Sequence, residues 1–188
     1  PVDPASHVVA LPYSSGTTGL PKGVMLTHTN LVANFEQLRH VIDVKPGDTS
    51  VAVLPFFHIY ALTVLMNFFP GLGGAVITMP RFDMLDFLSL IEQYKSRLIY
   101  VVPPIILGLT QHPAVADHDL SSLEIMVSAA APLGAGPTKA AATRLGCQVA
   151  QGYGMTELSP VSRFSDITRI RDGSVGEAVP GTESRVVD

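Results

Sequence analysis

Apolar positions along the chain follow two periods. Short apolar runs bounded by turn residues, at 8–13, 24–26, 51–54, 75–79, 99–102 and 124–128, have the length of buried strands. Between them Leu31, Val32, Phe35, Leu38 and Ile42 recur at helical spacing until Pro46-Gly47 stops the helix. The stretch 56–69 predicts a second helix. Asp83 is placed to cap a third, carrying Leu85, Phe87, Leu88, Ile91 and Tyr94, with Asp86 in its first turn. A short helix is predicted over 105–111, and a last one has Pro137 in its first turn and ends before Gly146. The closing run, 184–188, is again strand-like. Strands alternating with helices of about 8–15 residues predict an α/β fold, layered sheets flanked by helices, with a largely parallel sheet. No repeat of fixed period is present, which excludes solenoids and propellers.

Composition narrows the class. With 188 residues, 47% of them hydrophobic and 15% charged, the chain has the makings of one compact domain and is too apolar to be disordered. The uncharged stretch 50–80 resembles a membrane span at first sight, but Pro55, Pro70 and the Gly71–Gly74 cluster interrupt it. Its unbroken part, Phe56 to Phe69, has 14 residues against the roughly 20 that spanning needs. A buried strand–helix–strand unit with no transmembrane segment is therefore expected. Sixteen acidic against twelve basic residues give a net charge of −4, so there is no basic field for a nucleic acid. The single Cys147 excludes an internal disulfide framework and makes a reducing, cytoplasmic setting the default. No signal peptide is expected, since Pro1 is followed at once by Asp3 with no basic or apolar leading region. Pro1 in place of Met, and the strand-like ending, lead us to expect a piece of a longer protein.

Three segments carry chemistry. Tyr13-Ser14-Ser15-Gly16-Thr17-Thr18-Gly19-Leu20-Pro21-Lys22-Gly23 gathers hydroxyls, glycines and a lysine in a loop after a strand. Glycines let a phosphate approach the backbone, amide N–H groups form an anion nest, and hydroxyls and ammonium add donors. An ordinary Ser/Gly/Thr surface loop is the plain alternative. The Walker A pattern does not apply, because Lys22 is followed by Gly23 and a strand-like run. The second segment is Gln151-Gly152-Tyr153-Gly154-Met155-Thr156-Glu157. It offers a tight turn, an aromatic face, a hydroxyl and one carboxylate suited to Mg²⁺, and taken alone it also reads as a capping Thr-Glu pair after a glycine turn. The third is Pro55-Phe56-Phe57-His58-Ile59-Tyr60-Ala61-Leu62, whose lone histidine is in isolation a core residue. The His112–His118 segment lacks metal-ligand spacing and reads as a solvated loop, and the six methionines as core fillers.

The first two segments resemble the phosphate-binding and adenine/magnesium motifs of the adenylate-forming superfamily. The third resembles the 4-coumarate–CoA ligases, supported by Ser128-Ala129-Ala130-Ala131-Pro132-Leu133, with Ala129 where those proteins commonly have glycine. Gly173-Ser174-Val175-Gly176, Pro180-Gly181 and Val186-Val187-Asp188 extend the likeness over the whole chain. The resemblance implies a partial AMP-binding (adenylation) domain over 1–188, the core of the N-terminal domain of an adenylate-forming enzyme. Such enzymes join a small-molecule carboxylic acid to ATP and pass the acyl group to coenzyme A.

By resemblance, Ser14, Ser15, Gly16, Thr17, Thr18, Gly19 and Lys22 lie along the triphosphate, and His58 sits between the acid's carboxylate and the nucleotide. Ala130, Ala131 and Pro132 face the adenine or the acyl part, with Gln151, Gly152 and Tyr153 completing the nucleotide wall. Thr156 contacts phosphate, Glu157 holds Mg²⁺, and catalysis falls to His58, Lys22, Thr156 and Glu157. The acyl pocket implied is Ile59, Tyr60, Thr63, Val127, Ala130, Gly152, Pro160 and Val161, with the Tyr60 hydroxyl available to a phenol. Arg81 falls at a basic position near the coenzyme A phosphates, or is a surface arginine. The family's ribose-binding aspartate, hinge arginine and lysine-bearing lid lie beyond Asp188, so the chain is expected to be the central core of a larger ligase and to need the remainder of its own chain. Rival expectations are a fatty acyl-CoA synthetase, a peptide-synthetase adenylation domain, a non-catalytic nucleotide-binding module and a membrane-associated interaction domain.

Overall fold

The computed structural model describes residues 1–14 and 19–187. Four short strands open the chain: β1 (Val8–Ala10), β2 (Tyr13–Ser14), β3 (Lys22–Gly23) and β4 (Leu26–Thr27). They nest as two antiparallel pairs, β1 with β4 outside and β2 with β3 inside. The predicted run 8–13 is thus two strands. Pro12, without an N–H, falls between them, and its carbonyl instead accepts from the Val24 N–H at 2.9 Å. The predicted strand 24–26 is likewise displaced, because Val24 and Met25 form the step between β3 and β4.

Helix α1 (His28–Arg39) starts on a capping box in which Thr27 Oγ1 accepts from the Asn30 N–H and Asn30 Oδ1 accepts from the Thr27 N–H. Next come β5 (Thr49–Ala52) and β6 (Ala75–Thr78), parallel to each other. The helix predicted between them begins three residues late. His58 caps it, and α2 (Ile59–Ala61) widens into a π-helical stretch, Leu62–Phe68, before α3 (Phe69–Gly71). Asn67 Nδ2 donates to the Leu62 carbonyl at 2.6 Å, holding the wide turn. This apolar segment lies inside the protein, with Ala61, Leu65, Phe68 and Phe69 fully buried. No helix among the described residues is long and apolar enough to cross a membrane.

The second half is more regular. Helix α4 (Met84–Tyr94) is capped as predicted, Asp83 accepting from the Leu85 and Asp86 N–H groups. Strand β7 (Leu98–Val101) leads to α5 (Pro103–Gln111), which starts earlier than predicted because two prolines fit its first turn. Strand β8 (Ile125–Ser128) leads to α6 (Ala135–Leu145), ended by Gly146 in the left-handed conformation at φ 66°. Then β9 (Gln148–Gly154), β10 (Val161–Phe164) and β11 (Glu177–Ala178) complete a five-stranded sheet of order β11-β10-β9-β8-β7. Strands β7, β8 and β9 are parallel, and β10 and β11 are antiparallel additions, so this sheet is mixed rather than largely parallel. The strand expected at 184–188 does not form over its described residues 184–187.

Strict alternation along β7–β9 sorts the core into two. Leu98, Tyr100, Ile125, Val127 and Ala150 face one apolar cluster, with α1 and the 59–71 segment. Ile99, Val101, Met126 and Val149 face the other, with α4, α5 and α6. Strand β5 lies beside β7, and their starts are clamped together by Arg97. Its guanidinium donates to both Asp48 carboxylate oxygens and to the Asp43 carbonyl, and reaches Glu124 at 3.2 Å. Burial alone would raise the Asp48 carboxyl, but the Arg97 hydrogen bonds, the Lys45 N–H and the nearby positive charges more than offset it and leave it lowered.

That pair gives a pH-dependent test. Since the Asp48 carboxyl is lowered in the fold, its contribution is complete above the ordinary aspartate pKa of about 4 and disappears as pH falls through the lower folded value. In the complete protein, Asp48→Asn is expected to cost about 1–3 kcal/mol at pH 7. The melting-temperature gap to the parent should then narrow as pH is taken below about 4. A gap independent of pH between 7 and 3 would contradict this account of the clamp.

Candidate functional site

The turns at the ends of β8 and β9, the β2–β3 hairpin and the segment 57–64 enclose a cavity of about 700 Å³. Its walls differ from end to end. Tyr13, Lys22, Phe57, His58, Tyr153 and Glu157 are exposed and form a polar and aromatic mouth. Leu38, Ile42, Ile59, Val64, Tyr100 and Phe164 are buried and form a closed apolar end. The arrangement suits an elongated ligand with a charged head and an apolar tail.

Local geometry explains how each mouth residue arrives. The pairing of Tyr13 with Gly23 and of Ser14 with Lys22 fixes the base of the Ser/Gly/Thr loop, so Ser14 and Lys22 reach the cavity together. Ser15, Gly16, Thr17 and Thr18 lie outside the described residues. His58 is held by its own cap, Nδ1 accepting from the Tyr60 N–H at 3.2 Å. The neutral ring therefore carries its proton on Nε2, which has no partner among the described residues and is available to a ligand oxygen. Thr156 and Glu157 sit in a single 3₁₀ turn directly after β9. Gly154 makes that exit possible, because a Cβ there would collide with the Pro160 carbonyl across the β9–β10 turn.

Ala130 lines the cavity in a left-handed conformation, φ 71°, a strained backbone for a residue with a side chain. The strain turns the chain out of β8 and brings the small Ala129 and Ala130 to the cavity wall. Gly152 stands opposite on β9, backed by Phe164. Pro160 and Val161 line the same part of the cavity.

Several residues named from the sequence stand elsewhere. Gln151 follows the alternation of β9 and points to the face away from the cavity, its Nε2 donating to the Leu133 carbonyl at 3.1 Å. Thr63 is buried, and its hydroxyl donates to the Ser159 carbonyl at 3.2 Å instead of lining the wall. Ala131 and Pro132 are exposed beyond Ala130, Gly19 is exposed beyond the hairpin, and Arg81 is exposed between β6 and α4; none lines the cavity. The Tyr60 hydroxyl already donates to the Val127 carbonyl at 3.2 Å, and burial pushes its phenol well above the ordinary tyrosine value. It can therefore meet a ligand hydroxyl only as an acceptor. Sequence reasoning missed the closed end: Leu38, Ile42, Val64, Tyr100 and Phe164 read as core, which they also are.

Glu157 provides one carboxylate at the mouth. No group of three His, Cys, Asp or Glu side chains able to hold a metal by itself occurs among the described residues. Mg²⁺ fits such a position when substrate phosphates and water supply the other oxygens. The His112–His118 segment has a structural role, His112 capping the 3₁₀ turn Pro113–Asp117 and His118 bonding Glu92 at 2.8 Å.

The AMP-binding enzyme family matches residues 1–188. The chain is 41% identical to 4-coumarate–CoA ligase 2 of Nicotiana tabacum, over 96% of this chain and 35% of that protein. It is 38% identical to a long-chain-fatty-acid–CoA ligase of Bacillus subtilis, over 98% of this chain and 34% of that one. The ATP-bound crystal structure of MatB from Rhodopseudomonas palustris superposes with a TM-score of 0.89 at 32% identity, covering 96% of this chain and 36% of that chain. The chain thus spans about a third of the length of the curated relatives it matches. Its fold is that of the N-terminal domain of adenylate-forming enzymes, and the chain belongs to the AMP-binding enzyme family.

Proposed function

We propose that the protein carrying this chain activates a carboxylic acid with ATP and transfers the acyl group to coenzyme A, and that residues 1–188 are the central part of its adenylation domain. The observation that carries this reading is the cavity that brings Ser14, Lys22, His58, Thr156 and Glu157 together with an apolar end. In the first step a carboxylate oxygen attacks the α-phosphorus, the new acyl–phosphate bond forms, and the bond to pyrophosphate breaks. In the second the coenzyme A thiolate attacks the acyl carbon, and AMP leaves with the electron pair of the C–O bond.

The chain's part is positioning and charge stabilisation. Lys22 and Ser14 place an ammonium and a hydroxyl at the phosphates, and Thr156 adds a second hydroxyl. His58 Nε2–H orients the oxygen that joins acid to nucleotide. Glu157 would hold Mg²⁺, which neutralises phosphate charge when bound. Tyr153 covers the nucleotide, and Ile59, Tyr60, Val127, Ala130, Gly152, Pro160 and Val161 enclose the acid. Similarity to a 4-coumarate–CoA ligase and the small residues Ala130 and Gly152 on the cavity wall support an aromatic acid. A medium-chain alkyl acid is the second reading, favoured by the aliphatic end at Leu38, Ile42 and Val64. Arg81, outside the cavity, remains the candidate contact for coenzyme A. The lone buried Cys147, its thiol pushed up to about 11 by burial, fits a reducing cytoplasmic setting.

ATP–pyrophosphate exchange over a panel of acids, followed by ATP-dependent thioester formation, tests the reading. In the complete protein, Glu157→Gln is expected to lower exchange roughly 100-fold while moving stability by only about 0.5 kcal/mol, because the side chain is exposed. Undiminished exchange would remove Glu157 from the site. Enlarging the wall with Ala130→Phe should cost ring-bearing acids ~1–3 kcal/mol, about five- to 150-fold in kcat/KM, relative to short aliphatic ones. An unchanged ratio of cinnamate to butyrate turnover would take Ala130 out of the acyl pocket.

A further inference from the structure

The turn between β9 and β10 meets the cavity at both of its ends, through Thr156 and Glu157 at one and Pro160 and Val161 at the other. It is tightly wound. The Met155 N–H donates to the Pro160 carbonyl at 3.1 Å, the Leu158 N–H to the Met155 carbonyl at 2.9 Å, and the Ser159 N–H to the Thr156 carbonyl at 3.2 Å. Its far end is not held by a regular ladder. Val161 lies opposite Gly154, and the β9–β10 register shifts before Arg163. Strand β11 pairs with β10 only at Arg163 and Phe164, with one further bond to the Ser162 carbonyl. The outer edge of Val161 is met instead by a side chain of α1. Asn34 Nδ2 donates to the Val161 carbonyl at 2.7 Å, and Asn34 Oδ1 accepts from the Val161 N–H at 3.2 Å. The amide thus stands where the peptide group of a further strand would stand. Nδ2 also donates to Gln37 Oε1 at 2.9 Å, and Gln37 Nε2 donates to the Pro180 carbonyl at 2.9 Å. Asn34 is only 2% exposed and does not line the cavity, whereas Leu38, one turn further along the same helix face, does. Asparagine is a poor helix former, and a buried amide is costly unless paired, so neither α1 nor the core accounts for this residue.

Resting on the acid-activating reading above, we infer that Asn34 is a positioning residue for adenylation. By fixing both backbone groups of Val161 it sets where the turn 155–161 stands against α1, and with the turn the Thr156 hydroxyl and the Glu157 carboxylate. It touches no ligand itself. Misplacing reacting groups by about 1 Å, through a change outside the site, can cost roughly 100-fold in rate. Helix α1 also supplies Leu38 to the closed end, so one amide ties the phosphate-facing turn to the acid-facing helix.

In the complete protein, Asn34→Leu keeps the side chain's size and removes all three of its hydrogen bonds. Hydrogen–deuterium exchange of peptides covering 155–164 should then quicken at least about tenfold. Asp48→Asn, which loosens the fold at the starts of β5 and β7, should leave those peptides unchanged. Pyrophosphate exchange by folded Asn34→Leu is expected to fall roughly 10- to 100-fold in kcat. Combined with Glu157→Gln, the total loss should fall at least about tenfold short of the product of the two single losses, since a carboxylate already removed has nothing left to be positioned. A residue serving stability alone would give losses that multiply. Multiplying losses, an unchanged kcat, unaltered protection of 155–164, or equal quickening in Asp48→Asn each overturns this inference and leaves the ligase reading standing. Asn34→Ser, which leaves room for water, carries the same measurements if Asn34→Leu does not fold, and failure of both to fold also overturns it. No exchange by the parent with any acid of the panel overturns the ligase reading, and this inference with it.

Discussion

Strands β7, β8 and β9 bury side chains on both faces at once, and this constraint governs the rest of the structure. One register shift of a single residue would exchange Tyr100, Val127 and Ala150 with their neighbours and send the cavity wall into the opposite core. The parallel pairing of Tyr100 with Val127, and of Val127 with Ala150, keeps the site's floor continuous across three strands. The helices α4, α5 and α6 cover one face completely. On the other face α1 and the 59–71 segment cover only part, and the uncovered remainder is the cavity. The site is thus the portion of a two-sided core where one layer stops short.

The mouth depends on this floor through chain exits. Each of β8 and β9 ends in a short irregular turn at the same rim, one strained at Ala130 and the other made possible by Gly154. Ligand sites of layered α/β folds form where parallel strands end and the chain turns away. The hairpin of β2 and β3 approaches this rim from the N-terminal part of the chain, and His58 from the 59–71 segment. Residues distant in sequence, from Ser14 to Glu157, meet there.

Much of this was legible in the sequence, for identifiable reasons. Asp83, Pro137 and Gly146 are strong local signals, and the helices they bound lie where expected. Strands β7 and β8 are short apolar runs with the β-branched content of buried parallel strands, and they too form as predicted. The misses have equally local causes. Strand β9 contains Gly152 and Gly154, and glycines read as a turn until the pairing with β10 is seen. Gln151 looked like part of a nucleotide wall, but strand alternation, which a motif does not display, turns it away. Thr63 has the right chemistry, yet its hydroxyl is already committed to the Ser159 carbonyl, while Tyr60 does line the cavity but with its proton committed to Val127. Tyr100 was invisible as a cavity residue because a tyrosine within Leu-Ile-Tyr-Val is ordinary core.

The π-helical turn after His58 bears on how such a chain tolerates change in length. An α-helix advances about 100° per residue, and this stretch is already wound wider than that, so inserting one more residue at its start would rotate everything beyond it by nearly that angle relative to His58. Val64 would leave the cavity and Phe68 and Phe69 would leave the core together. Side-chain exchanges here alter the cavity one contact at a time, whereas a single insertion alters all of them at once. Diversification of this wall is therefore open to substitution and closed to insertion, a constraint set by the winding of one segment rather than by the chemistry of any residue in it.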